Sequence, residues 1–232
     1  MPRPRGARPS PRHRLAAAIP HRIVSATPPQ FLWKPSRLSM WLNDVDGDCV
    51  TAEEAFAKIA TNPEIFISDA TVQTWAAANN FLNGADLVSV LDLMQDAGFR
   101  QGGATYNDGP FSSVDWTNSA ALQNAIAQGP VKIGVAGDQL EAAVPNPPTN
   151  GWIATGFQKD ANEDHCVSLC GYGTVAWLAG QLGVHVPSGI DGTQDAYGLF
   201  SWSSIGILDV PSMLAITAEA WVRVPVTKIV QP

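Results

Sequence analysis

Two side chains in this 232-residue sequence are of the types needed for nucleophilic acyl chemistry. Cys49 stands at the predicted start of a helix, and His165 begins an apolar strand more than a hundred residues later. The free N–H groups and the dipole of a helix N-terminus stabilise a thiolate. A histidine brought close in space can hold the partner charge and later protonate a leaving group. The two residues are therefore a candidate nucleophile and base.

The other cysteines do not indicate a disulfide framework or a metal centre. Cys166 and Cys170 lie four positions apart in one predicted strand. They then share a face of that strand about 13 Å apart, too far for a direct bridge. His165 beside Cys166 also lacks the paired spacing of a structural zinc site. Reduced thiols, a cytoplasmic setting and the absence of a cofactor or metal are the expectations.

A calcium loop is the competing interpretation of the acidic turn before Cys49. Asp44–Asp48 and the glutamates that follow look like an EF-hand loop, which needs glycine at its sixth position and a carboxylate at its twelfth. Counted from Asp44, those positions hold Cys49 and Ala55. A solvated acidic turn is therefore favoured over a metal site.

The elements that must position this pair change in type along the chain. Helices are predicted in the first half, and residues 100–117 are predicted to form a loop or seam. The second half has one helix and then mainly strands. This order predicts an α+β fold in which a helical lobe (39–117) and a β-rich lobe (118–232) meet at a cleft. The predicted helices are 49–59, from the Ser68-Asp69 cap to Phe81, 87–97 and 118–127; the strands are 131–136, 165–172, 197–202 and 220–224.

Four segments resemble those of the papain-like cysteine peptidases, in the family's order. Asn43–Cys49 resembles the nucleophile segment, with an amide residue six positions before the cysteine. Leu122–Val131 resembles the helix, Gly-Pro turn and strand of the family. Asp164–Gly173 is similar to the histidine strand that ends in Gly-Tyr-Gly, and Phe200–Trp202 is similar to Asn-Ser-Trp. The resemblance covers residues 41–224.

The resemblance implies a cysteine-dependent peptidase or amide hydrolase acting on a peptide or protein through a thioester acyl-enzyme. Cys49 would attack the acyl carbon, and His165 would hold the thiolate and then act as general acid. Asn43 would stabilise the oxyanion together with the backbone N–H of Cys49. Trp202 would shield the histidine from water.

Several departures from the family's pattern support an alternative, a catalytically inactive papain-like domain with a binding or structural role. The asparagine that orients the histidine falls at Phe200, and Ser201, Ser203 or a backbone carbonyl would have to replace it. Asn43 is shorter than the usual glutamine. Nearby carboxylates are expected to raise the pKa of Cys49. These are Asp44, Asp46, Asp48, Glu53 and Glu54.

Basic residues are concentrated at the N-terminus. Residues 1–40 contain eight of the 14 Lys and Arg residues and none of the 21 acidic residues. Residues 1–38 are therefore predicted to be a disordered basic arm, shorter than the family's inhibitory pro-region. The acidic remainder argues against a nucleic-acid partner. No apolar stretch is long enough to predict a membrane span, and the sequence leaves the oligomeric state open.

Overall fold

A computed structural model of the chain describes residues 2–231. Its helices are α1 (Arg12–Ala16), α2 (Cys49–Ile59), α3 (Asp69–Ala78), α4 (Leu87–Asp96), α5 (Ser119–Gln128), α6 (Asp138–Ala143), α7 (Val175–Leu182) and α8 (Val210–Ile216). Its strands are β1 (Ala7–Arg8), β2 (Phe31–Leu32), β3 (Ala85–Asp86), β4 (Phe99–Gln101), β5 (Ala104–Asn107), β6 (Phe111–Ser113), β7 (Val131–Val135), β8 (Ile153–Ala154), β9 (His165–Thr174), β10 (Asp195–Ser201), β11 (Ser204–Asp209), β12 (Thr217–Arg223) and β13 (Lys228–Val230).

Helices α3 and α4 begin at the side-chain caps that the sequence indicates. Ser68 accepts a hydrogen bond from the N–H of Thr71 at the start of α3, and Asp86 does the same for Ser89 at the start of α4. Such caps satisfy N–H groups that have no partner within the helix. Helix α2 differs, because every one of its residues is buried. It therefore forms the centre of the helical lobe rather than its surface.

The largest sheet has the strand order β6-β12-β7-β9-β10-β11-β8, and β2 pairs in addition with β9. Helix α2 packs against one face and shares a core with α3 and α4, and the other face packs against α5, α6 and α8 around a second core. Strand β9 lies in the middle of the sheet and pairs on both sides, with β7 and with β10. The predicted α+β architecture, with helices before a β-rich half, is confirmed.

The segment 100–117 differs from the predicted loop. Gly102 and Gly103, with φ of 59° and 83°, form the turn of the hairpin between β4 and β5. Strand β5 then pairs with β13 at the C-terminus, and β6 pairs with β12. The two glycines therefore mark a tight turn between very short strands, whereas Asn107 ends β5 and pairs with Lys228. Helix α7 also follows β9 where no element was predicted.

The basic N-terminal segment differs most from its prediction. Instead of disorder, residues 2–38 include α1, β1 and β2 and follow a defined course over the rest of the chain. Strand β1 pairs with β3, and β2 pairs with β9. Arg5 and Arg14 form ion pairs with carboxylates far along the sequence. The uneven charge that suggested disorder thus supplies complementary contacts between this segment and the acidic remainder.

A buried ion cluster fixes α2 to the β-rich lobe. Arg223 on β12 lies 2.9 Å from Glu53 and 3.2 Å from Glu54, both on α2. Lys132 on β7 lies 3.1 Å from Glu53 and also contacts Glu54. Lys58 at the other end of α2 contacts Asp108. These partners hold the helix that begins with Cys49 at a fixed position against the sheet.

Candidate active site

Cys49 is the first residue of α2 and is 2% exposed. The nearby backbone N–H groups of Gly6, Cys166 and Ala7 favour the thiolate. Burial acts more strongly in the opposite direction and, with the charge of Asp48, raises the pKa of Cys49 to about 11. The thiol is therefore protonated at neutral pH in this conformation.

His165 is the first residue of β9 and is also buried. Its Nε2 lies 2.9 Å from the Oγ of Ser201, and its ring stacks on the Trp202 indole at 4.0 Å between centroids. Among the described residues, its Nδ1 has no hydrogen-bond partner. One ring nitrogen is thus held by Ser201, while the other remains free to exchange a proton. The backbone N–H of the next residue, Cys166, faces the Cys49 thiol.

Burial, together with the charges of Arg5 and Arg3, lowers the pKa of His165 to about 3. The histidine is therefore neutral at physiological pH in this conformation. With Cys49 protonated and His165 neutral, the two candidate residues lack the thiolate–imidazolium charge separation of an activated nucleophile. The structure thus describes a resting arrangement of the two residues.

The turn after β10 explains how Ser201 and Trp202 reach the histidine. Trp202 and Ser203 both have positive φ, 44° and 58°, in a two-residue turn between β10 and β11. This conformation costs a non-glycine residue about 1 kcal/mol or more. The turn presents the Trp202 ring to His165, and Ser203 is its second residue. Phe200, at the position of the family's asparagine, instead stacks on Phe56 at 4.0 Å.

Asn43 is buried in the loop before α2. Its side-chain Nδ2 donates a hydrogen bond to the carbonyl oxygen of Asp46 at 3.2 Å, and its amide lies beside the Asp48 carboxyl. The side chain is therefore engaged within its own loop in this conformation. To donate a hydrogen bond to an oxyanion, the Asn43 side chain must turn its Nδ2–H toward the substrate.

The acidic residues around the nucleophile do not all act as the sequence suggested. Burial, followed by the charge of Asp46, raises the pKa of Asp48 to about 7. Glu53 and Glu54 point into the buried ion cluster. Burial opposes ionisation there, but Arg223 and Lys132 lower the pKa of Glu54 to about 2. The raised pKa of Cys49 thus comes mainly from burial, and Asp48 is the carboxylate that adds to it.

The N-terminal segment fills the space above the cysteine. The carbonyl oxygen of Gly6 accepts a hydrogen bond from the N–H of Ala85 at 2.9 Å. The N–H of Ala7 donates to the carbonyl oxygen of Asp164, next to His165, at 3.1 Å. One bond reaches the helical lobe and the other reaches the β-rich lobe. The segment therefore crosses the cleft between the lobes directly over Cys49.

The passage at Gly6 accommodates no side chain. A Cβ added there would lie 1.8 Å from the carbonyl oxygen of Gly47 and 2.9 Å from the Cα of Gly84. Both neighbours are backbone atoms, so neither can rotate away. Gly47 and Gly84 both belong to the helical lobe, and the segment packs so closely against this wall of the cleft that only glycine fits at this point.

Two arginines of the same segment lie beside the histidine. The Nη1 of Arg5 lies 2.6 Å from Asp138 and 2.9 Å from Asp164, and its Nη2 lies 3.6 Å from Glu141. The guanidinium carbon of Arg3 lies 5.2 Å from the centre of a Trp202 ring, within the range of a cation–π contact. Sequence reasoning missed these contacts because it treated the segment as disordered, although its eight basic residues opposite an acidic body are a visible signal.

Comparison with solved structures identifies the fold. The proform of the ragweed pollen allergen Amb a 11, a cysteine protease, matches with a TM-score of 0.63 at 13% identity, over 91% of this chain and 72% of the allergen. Xylellain, a cysteine protease from Xylella fastidiosa, matches with a TM-score of 0.61 at 12% identity, over 96% and 97% of the two chains. Bromelain from Ananas comosus, in complex with the E64 inhibitor, matches with a TM-score of 0.59 at 11% identity, over 84% and 98%.

The chain has the fold of the papain-like cysteine proteases. No protein-family model and no curated protein matches its sequence. Between residues 2 and 231, no helix is long and apolar enough to cross a membrane.

Proposed function

We propose that this chain is a cysteine-dependent peptidase or amide hydrolase whose cleft is closed by its own N-terminal segment. The observation that carries the proposal is the environment of His165. Ser201 holds one ring nitrogen, Trp202 covers one face of the ring, and Nδ1 is left without a partner among the described residues. His165 begins the strand that packs against α2, the helix that begins with Cys49, and a histidine arranged in this way suits proton transfer to and from a thiol.

The reaction requires the segment to leave the cleft. Its departure would expose Cys49 to water and remove Arg3 and Arg5 from His165. The burial that raises the pKa of Cys49, and the burial and positive charges that lower the pKa of His165, would then weaken. The Cys49 thiolate would then attack the carbonyl carbon, and His165 would give a proton to the departing amine. Water would hydrolyse the resulting thioester, with His165 accepting a proton from that water.

The oxyanion that forms in each step needs hydrogen-bond donors. The backbone N–H of Cys49 lies at the start of α2, and we assign it this role together with the Asn43 side chain. The hydrogen bond from Asn43 Nδ2 to the carbonyl oxygen of Asp46, present in the closed state, must first break. The proform state of one structural relative, Amb a 11, is in keeping with a closed cleft here.

The second candidate is a catalytically inactive papain-like domain used for binding or structure. It is favoured by the protonation states of the pair, because Cys49 and His165 are both neutral at pH 7 in the closed conformation. It predicts that opening the cleft exposes an unreactive thiol.

Alkylation by iodoacetamide separates the two candidates. After the segment has been displaced, the peptidase proposal predicts selective labelling of Cys49 near neutral pH, with Cys166 and Cys170 unlabelled in folded protein. It also predicts that Cys49→Ala abolishes hydrolysis of a fluorogenic peptide. An accessible Cys49 that reacts only above about pH 8.5, the pKa of an ordinary thiol, would favour the inactive domain.

A further inference from the structure

We propose that the cleft recognises an arginine side chain of its peptide substrate through Asp138, Glu141 and Asp164, here called the carboxylate site. This inference rests on the proposed function for turnover, but binding of the peptide is a separate property. It concerns which peptides the site accepts.

The carboxylate site belongs to the cleft because of its position in the sheet. Asp164 directly precedes His165 on the chain, and its backbone oxygen holds the N–H of Ala7. Asp138 and Glu141 lie on α6, which follows β7, the strand paired with β9. All three carboxylates converge on one guanidinium, that of Arg5. The carboxylate site therefore lies next to His165 and in contact with the N-terminal segment that crosses the cleft.

The cleft already contains a peptide that uses this site. Arg5 is followed directly by Gly6, which packs against the backbone of Gly47, two residues before Cys49. Its side chain is only 20% exposed, so the carboxylate site encloses most of it. The N-terminal segment is thus an intramolecular example of a peptide that spans the cleft and places an arginine among the three carboxylates.

Departure of the segment leaves these carboxylates without their cation. Asp164 keeps a hydrogen bond from the N–H of Gly137 at 2.8 Å, but the charge of Arg5 is lost from the cluster. Like charges held close together repel, and a substrate cation would relieve that repulsion. The planar guanidinium fits better than an ammonium because its several N–H donors can reach separate carboxylates at once.

The test needs an open cleft in which the carboxylates remain intact. In the full chain, Gly6→Ala displaces the segment by steric clash and Arg5→Ala removes the competing guanidinium. Adding Cys49→Ala to this background allows equilibrium binding to be measured without turnover. Fluorescence anisotropy then compares an alanine-based peptide containing one arginine with the same peptide containing citrulline, a neutral isostere.

We expect the arginine peptide to bind about tenfold tighter than the citrulline peptide at low salt, as for a partly exposed charge-assisted contact. The difference should shrink as salt rises, because ions screen exposed charges. Asp138→Asn combined with Glu141→Gln should remove the preference. Asp96→Asn, a change to an exposed carboxylate on α4, should leave it intact.

Equal binding of the arginine and citrulline peptides would overturn the inference, and so would a preference that survives the change of Asp138 and Glu141. The proposed function fails separately. If the protein with Cys49 intact binds the arginine peptide selectively but hydrolyses no peptide, the carboxylate site stands and the peptidase proposal falls. If it hydrolyses arginine and citrulline peptides with equal kcat/KM, the peptidase proposal stands and the carboxylate site falls.

Discussion

Replacing Gly6 by alanine should open the cleft, because it adds one methyl group where the structure has no space. The new Cβ would lie 1.8 Å from the carbonyl oxygen of Gly47, and closer than 3.0 Å to the Cα of Gly84. Overpacking in a well-packed site costs about 1–3 kcal/mol, and rigid backbone on both sides favours the upper part of that range. At about 1.4 kcal/mol per factor of ten, the ratio of open to closed protein should rise about 10- to 100-fold.

The rate of Cys49 alkylation by iodoacetamide reports this ratio, provided that opening and closing are fast relative to labelling. The rate for Gly6→Ala should exceed that of the unmodified protein by the same factor, with the label mapped to Cys49 by peptide mass. Gly180→Ala is the matched control, since its added methyl meets nothing within 4 Å. Equal labelling rates in all three proteins would refute the argument that the N-terminal segment closes the cleft.

Three further changes test other parts of the account. Ser201→Ala should lower kcat about 10- to 30-fold in cleft-opened protein while KM changes little, because it leaves the Nε2 of His165 without its partner; an unchanged kcat would exclude Ser201 as the positioning residue. Lys132→Ala leaves two buried glutamates short of a cation and should lower the free energy of unfolding by about 3–5 kcal/mol in urea, whereas the exposed Lys159→Ala should change it little. Burial and a neighbouring carboxyl raise the pKa of Glu163 to about 9, above its unfolded value of about 4, so its contribution to stability is present at low pH and is lost as pH rises through this window. Glu163→Gln should therefore raise the melting temperature at pH 8 and leave it nearly unchanged at pH 4; an equal shift at both values would contradict this.

Local signals in the sequence predict the helical lobe well. The bounds of α2 agree with the prediction, because the residues from Cys49 to Ile59 have helical spacing and Pro63 follows soon after. Ser68 caps α3 as expected, since its side chain accepts the N–H of Thr71 in the first turn. Such signals act over three or four residues, so they can be read without knowledge of the tertiary structure.

The features that sequence reasoning missed depend on contacts between distant residues. Glu53 and Glu54 appeared to surround the cysteine, whereas they face Lys132 and Arg223, which lie about 80 and 170 residues further along. The course of the N-terminal segment likewise depends on carboxylates more than 130 residues away. Charge alone indicated that these groups needed partners, but only the fold determines which ones.

The candidate site was partly predictable for the same reason. Cys49 and His165 could be chosen because each begins a regular element, and the structure places the two elements against each other. Ser201 could be suggested only as one of several substitutes for the missing asparagine. Its contact with His165 depends on the two-residue turn after β10, in which Trp202 and Ser203 adopt positive φ. No local pattern in the sequence indicates that conformation.

An acyl-enzyme on Cys49 would distinguish a cysteine peptidase from an inactive domain. Gly6→Ala protein is mixed with a nitrophenyl ester of a short peptide, quenched in acid and analysed by intact and peptide mass. We expect an acyl adduct on Cys49 that is absent from Gly6→Ala/Cys49→Ala and strongly reduced in Gly6→Ala/His165→Ala. Ester turnover that continues at an equal rate after Cys49→Ala would contradict the account.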